Sequence, residues 1–198
     1  MRFHRWSLQP KPEKIGILAA GFNPPTVAHF DLIYAAGFHV DQVVCVLPRE
    51  FPHKKYDGAS LEQRIEMLAK SVLPPCAIAI SESGLFLDIA RECRAHFGGA
   101  TKLYFICGRD AAERVVSWDY GRVGAIEEMF AEFELLVAPR DGDYEPPPAL
   151  RGHVHSLYIR PSNAGVSSTE VRARIREGKP WDHLVPEPIL EAVREIYS

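Results

Sequence analysis

No apolar run in this sequence approaches the length of a membrane span, so no transmembrane helix is expected. The opening stretch, Met1 to Lys14, is polar and carries Pro10 and Pro12, which is not the pattern of a secretory signal. A cytoplasmic protein is the expectation, with no membrane partner. Charge of one sign is also lacking: the formal net charge is −3, so the chain as a whole is not a polyanion-binding arm, and no nucleic-acid partner is expected. Cysteine is sparse. Cys45, Cys76, Cys93 and Cys107 show no CxxC pairing and sit mostly in apolar stretches, so buried free thiols are expected rather than a disulfide frame or a zinc site. The histidines show no metal-ligand spacing, and no internal repeat is visible. What is present is length and apolar content: 198 residues, 46% hydrophobic, enough for one domain with a sizeable core. Residues 1–14 read as an N-terminal arm, mobile or added at a sheet edge, and residues 15–198 as the domain.

The hydrophobic pattern alternates between strands and helices. Apolar strands are expected at Ile15–Ala20, Val43–Leu47, Ala77–Ile80, Lys102–Cys107, Phe133–Ala138 and Val154–Ile159. Helices are expected near Val27–Ala36, Leu61–Val72 (capped by Ser60), Leu85–Phe97, after Gly108, Thr169–Glu177 and Glu187–Ile196. Asp141–Pro148, rich in Pro and Gly, reads as a mobile loop. This order implies an α/β fold: one Rossmann-like domain, a parallel sheet with helices on both faces. Ligands of such sheets bind beyond the carboxyl ends of the strands. Gly21 to His29, Pro48 to Tyr56 and Gly108 to Asp110 each follow a strand and are expected to line one crevice.

Two segments carry the chemistry. In Gly21-Phe22-Asn23-Pro24-Pro25-Thr26-Val27-Ala28-His29, the glycine permits a tight turn and the prolines stiffen the loop. Thr26 and His29 are then spaced i, i+3 on the first turn of a helix, where free N–H groups favour phosphate. Equally, Thr26 reads as an N-cap and His29 as a surface histidine. In Val166-Ser167-Ser168-Thr169-Glu170-Val171-Arg172, Ser167 and Glu170 form a capping-box pattern. That explains two residues only. Hydroxyls at a helix start with an arginine one turn on also suit a triphosphate.

With these segments the chain resembles the nucleotidylyltransferase superfamily marked by (H/T)xGH and ISSTxxR, and within it the bacterial nicotinate-nucleotide adenylyltransferase family. Further stretches agree: Phe51-Pro52-His53-Lys54-Lys55 with a PPHK loop, Leu61 to Leu68 with the helix after it, and Tyr104 to Asp110 with Trp118 with an FIIGxD…W stretch. The resemblance implies adenylyl transfer from ATP to a mononucleotide phosphate, nicotinate or nicotinamide mononucleotide, with release of pyrophosphate. It implies His29, Thr26 and Arg172 as catalytic residues. Gly21, Phe22, His53, Lys54, Gly108, Asp110, Ser168 and Thr169 would bind ATP; Asn23, Leu85, Phe86, Arg109 and Trp118 would bind the acceptor. Magnesium would arrive with ATP, held by phosphates and water, without a protein metal cage. The partners are then ATP and a small phosphorylated acceptor, in a monomer or homo-oligomer. As a lone residue Trp118 reads first as an ordinary aromatic, Lys54 and Lys55 as a solvated pair, and Asp110 as a helix cap.

The match departs from the family at three places, one of them the segment Tyr120 to Ile126, Gly-rich where a tighter aromatic run is expected. Ala28 stands where the first motif has glycine. Leu85 and Phe86 stand where the family commonly carries Tyr-Thr, which helps recognise the nicotinate carboxylate; two apolar side chains cannot donate hydrogen bonds to it. A weaker preference for nicotinate over nicotinamide mononucleotide is therefore expected, with Arg109 as the charged candidate beside Asp110. The same departures keep other readings open: a transferase using another phosphate acceptor or CTP, or a nucleotide-binding regulator with weak catalysis.

Overall fold

Strands β2 (Lys14–Ala19) and β3 (Gln42–Pro48) are apolar on both faces, and both faces are covered. The computed structural model describes residues 1–5, 12–49, 58–72, 76–121, 123–139 and 142–198. Around that pair a seven-stranded sheet runs in the order β1-β4-β3-β2-β5-β6-β7. The other strands are β1 (Arg2–Arg5), β4 (Ala77–Ser81), β5 (Lys102–Gly108), β6 (Glu134–Ala138) and β7 (Val154–Ser156). Strands β2 to β7 pair in parallel; β1 alone is antiparallel, adding to the edge of β4. Its N-terminal ammonium group meets Glu92 at 2.9 Å.

The helices between the strands are α1 (Val27–Ala36), α2 (Leu61–Ser71), α3 (Phe86–Phe97), α4 (Arg109–Ser117) and α5 (Ala125–Glu132). Short α6 (Pro161–Ala164), α7 (Ser168–Arg176) and α8 (Leu190–Tyr197) follow the last strand. Alternate strand residues feed two cores, as a doubly covered sheet requires. Ile15, Ile17, Val44, Val46 and Phe105 pack with Ile89, Cys93 and Met129 of α3 and α5 on one side. Leu18, Cys45, Leu47, Ile78 and Ile106 pack with Ala35, Ile65 and Leu68 of α1 and α2 on the other. Gly16 lets the α1–β3 connection come close: a β-carbon there would stand 2.9 Å from Ile106 Cδ1 and 3.1 Å from Val40 Cγ2. A third, smaller core joins Met67 of α2 to Val171 of α7 and Ile189 and Val193 at the chain end.

The strand order reverses between β2 and β5, since the chain runs from β2 outward to β4 and then returns to the other side of β2. The loops after β2 and β5 therefore diverge and leave a crevice at the sheet's carboxyl edge. Three details differ from the sequence expectation. α5 forms directly after Gly124, whose left-handed φ of 80° turns the chain into the helix. β7 ends at Ser156, because the chain leaves the sheet toward α6 instead of continuing to Ile159. The capping box at Ser60 forms fully, whereas the one at Ser167 forms by half: Ser167 Oγ accepts from the Glu170 N–H at 3.2 Å, but the Glu170 carboxylate turns to Arg174 at 2.8 Å.

Phe105, fully buried, stacks on Phe86 with centroids 4.2 Å apart and meets Phe133 edge-on at 4.6 Å. Truncation there removes a large buried ring that neighbouring strands cannot replace. Phe105→Ala is expected to lower unfolding stability by roughly 3–5 kcal/mol in urea titration, against about 0.5 kcal/mol or less for Tyr34→Ala at an exposed site.

Candidate active site

The turn from Gly21 to Thr26 is braced by side chains distant in sequence. Buried Arg64 of α2 donates from Nη1 to the Gly21 carbonyl at 3.0 Å, and its Nε donates to the Ser60 carbonyl at 3.3 Å. Arg172 of α7 donates from Nη1 to the Asn23 carbonyl at 2.5 Å, and the Ser168 hydroxyl donates to the Pro24 carbonyl at 2.7 Å. The buried Asn23 side chain accepts through Oδ1 from the Tyr197 hydroxyl and, at 3.4 Å, from the Ala59 N–H. Burial pushes the Tyr197 phenol well above its ordinary pKa, which keeps it a proton donor. Backbone carbonyls repel an anion. Here those of Gly21, Asn23 and Pro24 are each occupied by a protein donor.

The loop also sets the state of His29. Phe22 has a left-handed φ of 48°, and its ring is buried against the His29 ring, centroids 4.9 Å apart. Thr26 is the extended N-cap of α1. Its N–H donates to His29 Nδ1 at 3.0 Å, and its Oγ1 lies 2.8 Å from the same nitrogen. A backbone N–H can only donate, so Nδ1 carries the lone pair and the neutral ring carries its proton on Nε2. The helix cap and the orientation of His29 are thus one arrangement, in which capping the helix fixes the imidazole's tautomer.

A cavity of about 620 Å³ opens at the carboxyl edge of the sheet, lined by Gly21, Phe22, Asn23, Thr26, Ala28 and His29 on one side and by Val166 to Thr169 and Arg172 on the other. Gly108, at the end of β5, also borders it. The amino termini of α1 and α7 both belong to this cavity, so two sets of end-of-helix N–H groups and dipoles favour an anion there. A second compartment of about 320 Å³ shares Ala19, Ala20, His29, Leu32 and Gly108 with the first and extends to Leu85, Phe86, Arg114, Trp118 and Tyr120. Its lining is chiefly apolar, with Trp118 at the end of α4 and 46% exposed.

The structure thus brings Gly21, Phe22, Asn23, Thr26, His29, Gly108, Ser168, Thr169 and Arg172 to one cavity, and Leu85, Phe86 and Trp118 to its neighbour. Asp110 and Arg109 stand in the first turn of α4 beside Gly108 but line neither cavity, and Arg109 Nε donates to Glu113 at 2.7 Å. His53 and Lys54 lie outside the described residues.

The cytidylyltransferase-like family model matches residues 18–174, a span that takes in both motifs and strands β3 to β7. A probable nicotinate-nucleotide adenylyltransferase of Bordetella pertussis is 30% identical over 190 residues, covering 89% of this chain and 92% of its own. The chain belongs to the cytidylyltransferase-like family, in its nicotinate-nucleotide adenylyltransferase branch. A second member, from Moorella thermoacetica and also named a probable nicotinate-nucleotide adenylyltransferase, is 27% identical over 205 residues, covering 95% of this chain and 92% of the relative. The fold agrees with that of the Plasmodium falciparum nicotinic acid mononucleotide adenylyltransferase complexed with NaAD, at a TM-score of 0.69 and 15% identity over 92% of this chain and 95% of that one.

Against the family motif, Ala28 places a methyl group on the cavity wall. Sequence reasoning missed Arg64, Tyr197 and Arg114. Arg64 had a signal: it falls among Leu61, Ile65 and Leu68 on the apolar face of α2, a place where a charge needs a buried partner. With His29 offering Nε2–H at the cavity, His29→Ala is expected to cut turnover by roughly a hundredfold, the scale of losing one donor to developing charge. Pyrophosphate release measures the turnover and calorimetry the ATP affinity, which should fall by less. Near-normal turnover would remove His29 from the reaction.

Proposed function

We propose that this chain transfers the adenylyl group of ATP to the phosphate of a pyridine mononucleotide, foremost nicotinate mononucleotide, and releases pyrophosphate. One observation carries the reading: the helix starts bearing Thr26 and His29, and Ser168, Thr169 and Arg172, meet in a single cavity that continues into a largely apolar compartment bordered by Trp118. The names of the relatives support the acceptor. An acceptor phosphate oxygen attacks the α-phosphorus; the new P–O bond forms as the bond to the bridging oxygen of the β-phosphate breaks. The nucleophile is already an anion, so no strong base is required, and the protein contributes position and charge. His29 Nε2–H donates to an α-phosphate oxygen. Thr26, Ser168, Thr169 and Arg172 hold the remaining phosphate oxygens and the departing pyrophosphate. Arg172 already serves the Asn23 carbonyl, yet a guanidinium has five N–H donors and can serve both. The pyridine ring stacks on Trp118.

Magnesium, carried in with ATP, would neutralise phosphate charge. Phosphate oxygens and water would hold the ion; among the described residues no three His, Cys, Asp or Glu side chains converge.

Two measurements test the reading. Pyrophosphate release from ATP across a panel of phosphorylated acceptors should be fastest with nicotinate or nicotinamide mononucleotide; release with some other phosphate or with CTP alone would reassign the acceptor or donor. Arg172→Ala should weaken ATP binding in calorimetry and slow transfer, with Arg172→Lys restoring part, since a point charge cannot reproduce a fork of donors. Equal ATP affinity in Arg172→Ala would exclude the triphosphate cradle.

A further inference from the structure

The lining of the second compartment includes an arginine side chain other than Arg109, the one the sequence suggested. Ala111, Arg114, Val115 and Trp118 all line it, and they fall at i, i+3, i+4 and i+7 along α4 and its C-cap, so one helical face forms that wall. Opposite stand Gly84, Leu85 and Phe86 at the start of α3. Phe86 is fixed there by its stack on Phe105 and has no hydrogen bond to offer. Among the described residues lining this compartment, Arg114 is the single side chain with a permanent positive charge. Arg109 stands one position from Asp110 but lines no part of the compartment, and it is paired with Glu113.

We infer that Arg114 is a specificity-determining residue that recognises a carboxylate on the acceptor's aromatic ring, a role that rests on the adenylyltransferase reading above. The ring would lie against Trp118, one helical turn beyond Arg114, which brings a ring substituent within the guanidinium's range. Asp110 lies one turn earlier on the same helix, at i−4, a spacing at which opposite charges can pair; the five donors of a guanidinium let it engage two carboxylates. Leu85 and Phe86 alone would leave the acid and its amide nearly equal. Arg114 reverses that expectation, because a carboxylate gains a charge-assisted bond that a carboxamide does not. Selectivity for nicotinate is then supplied here from α4.

The experiment is kcat/KM for nicotinate and nicotinamide mononucleotide at saturating ATP and magnesium, in wild type, Arg114→Gln and Arg114→Lys. Arg114 is exposed, so its replacement leaves the core intact. Wild type should prefer the nicotinate compound. Arg114→Gln should lose roughly tenfold more efficiency on nicotinate than on nicotinamide mononucleotide, chiefly through KM, and Lys should recover part of it. Equal losses on both acceptors, or an unchanged ratio, would overturn the role of Arg114 while leaving the adenylyltransferase reading in place. Wild-type turnover with neither acceptor would overturn the reading itself, and the role of Arg114 with it.

Discussion

The site depends on the hydrogen bonds that occupy the carbonyls of Gly21, Asn23 and Pro24. A loop that wraps an anion must keep its oxygens away from it. In this chain the oxygens of Gly21, Asn23 and Pro24 are taken by Arg64, Arg172 and Ser168. Two of these donors are permanent cations, which also favour the approach of negative charge. The brace therefore has two effects: it fixes the shape of the turn, and it sets the electrostatic sign of the surface on which Thr26 and His29 stand.

The brace links chain segments that lie far apart in sequence. Ser168 and Arg172 belong to α7, whose Val171 is buried with Met67 of α2 and Val193 of α8. The third core thus presses α7 against the turn, and the Tyr197 hydroxyl adds a bond to Asn23 from the end of the chain. Before α7, Arg160 and Asn163 both bond to buried Asp31 on α1, the latter at 2.7 Å. The segment that carries the second motif is anchored at both ends to the element that carries the first. This explains physically why two short motifs at opposite ends of the sequence form one cavity.

What the sequence made legible follows from the range of the interactions. Thr26 and His29 share one helical turn, and Ser167 caps its own helix; such relations are set within a few residues. The apolar runs placed β2 to β6, and the alternation of strand and helix implied the parallel sheet. The rest depends on long-range pairing. β1 has only four residues and pairs with β4 far along the chain, so no local pattern announces it. Tyr197 gives no sign of reaching Asn23. Arg109 and Arg114 look interchangeable on a sequence, and only the helix phase turns Arg114 to the compartment while Arg109 pairs with Glu113. Phe86 reads as an acceptor wall, yet its ring is committed to Phe105 as much as to the compartment.

The chemistry proposed for this cavity gives such remote residues unusual weight. Where an enzyme forms a covalent intermediate or tunes a strong base, much of the barrier is lowered by the reactivity of one group. An anionic phosphate attacking another phosphate calls for neither, and the rate rests on alignment and on fixed dipoles. The imidazole of His29 contributes only if Nε2 carries the proton. That tautomer is set by the Thr26 N–H, the Thr26 N–H by the turn, and the turn by Arg64, Arg172 and Ser168. A helix cap, a buried arginine and a terminal tyrosine thereby become parts of the same device as the residue proposed to meet the α-phosphate.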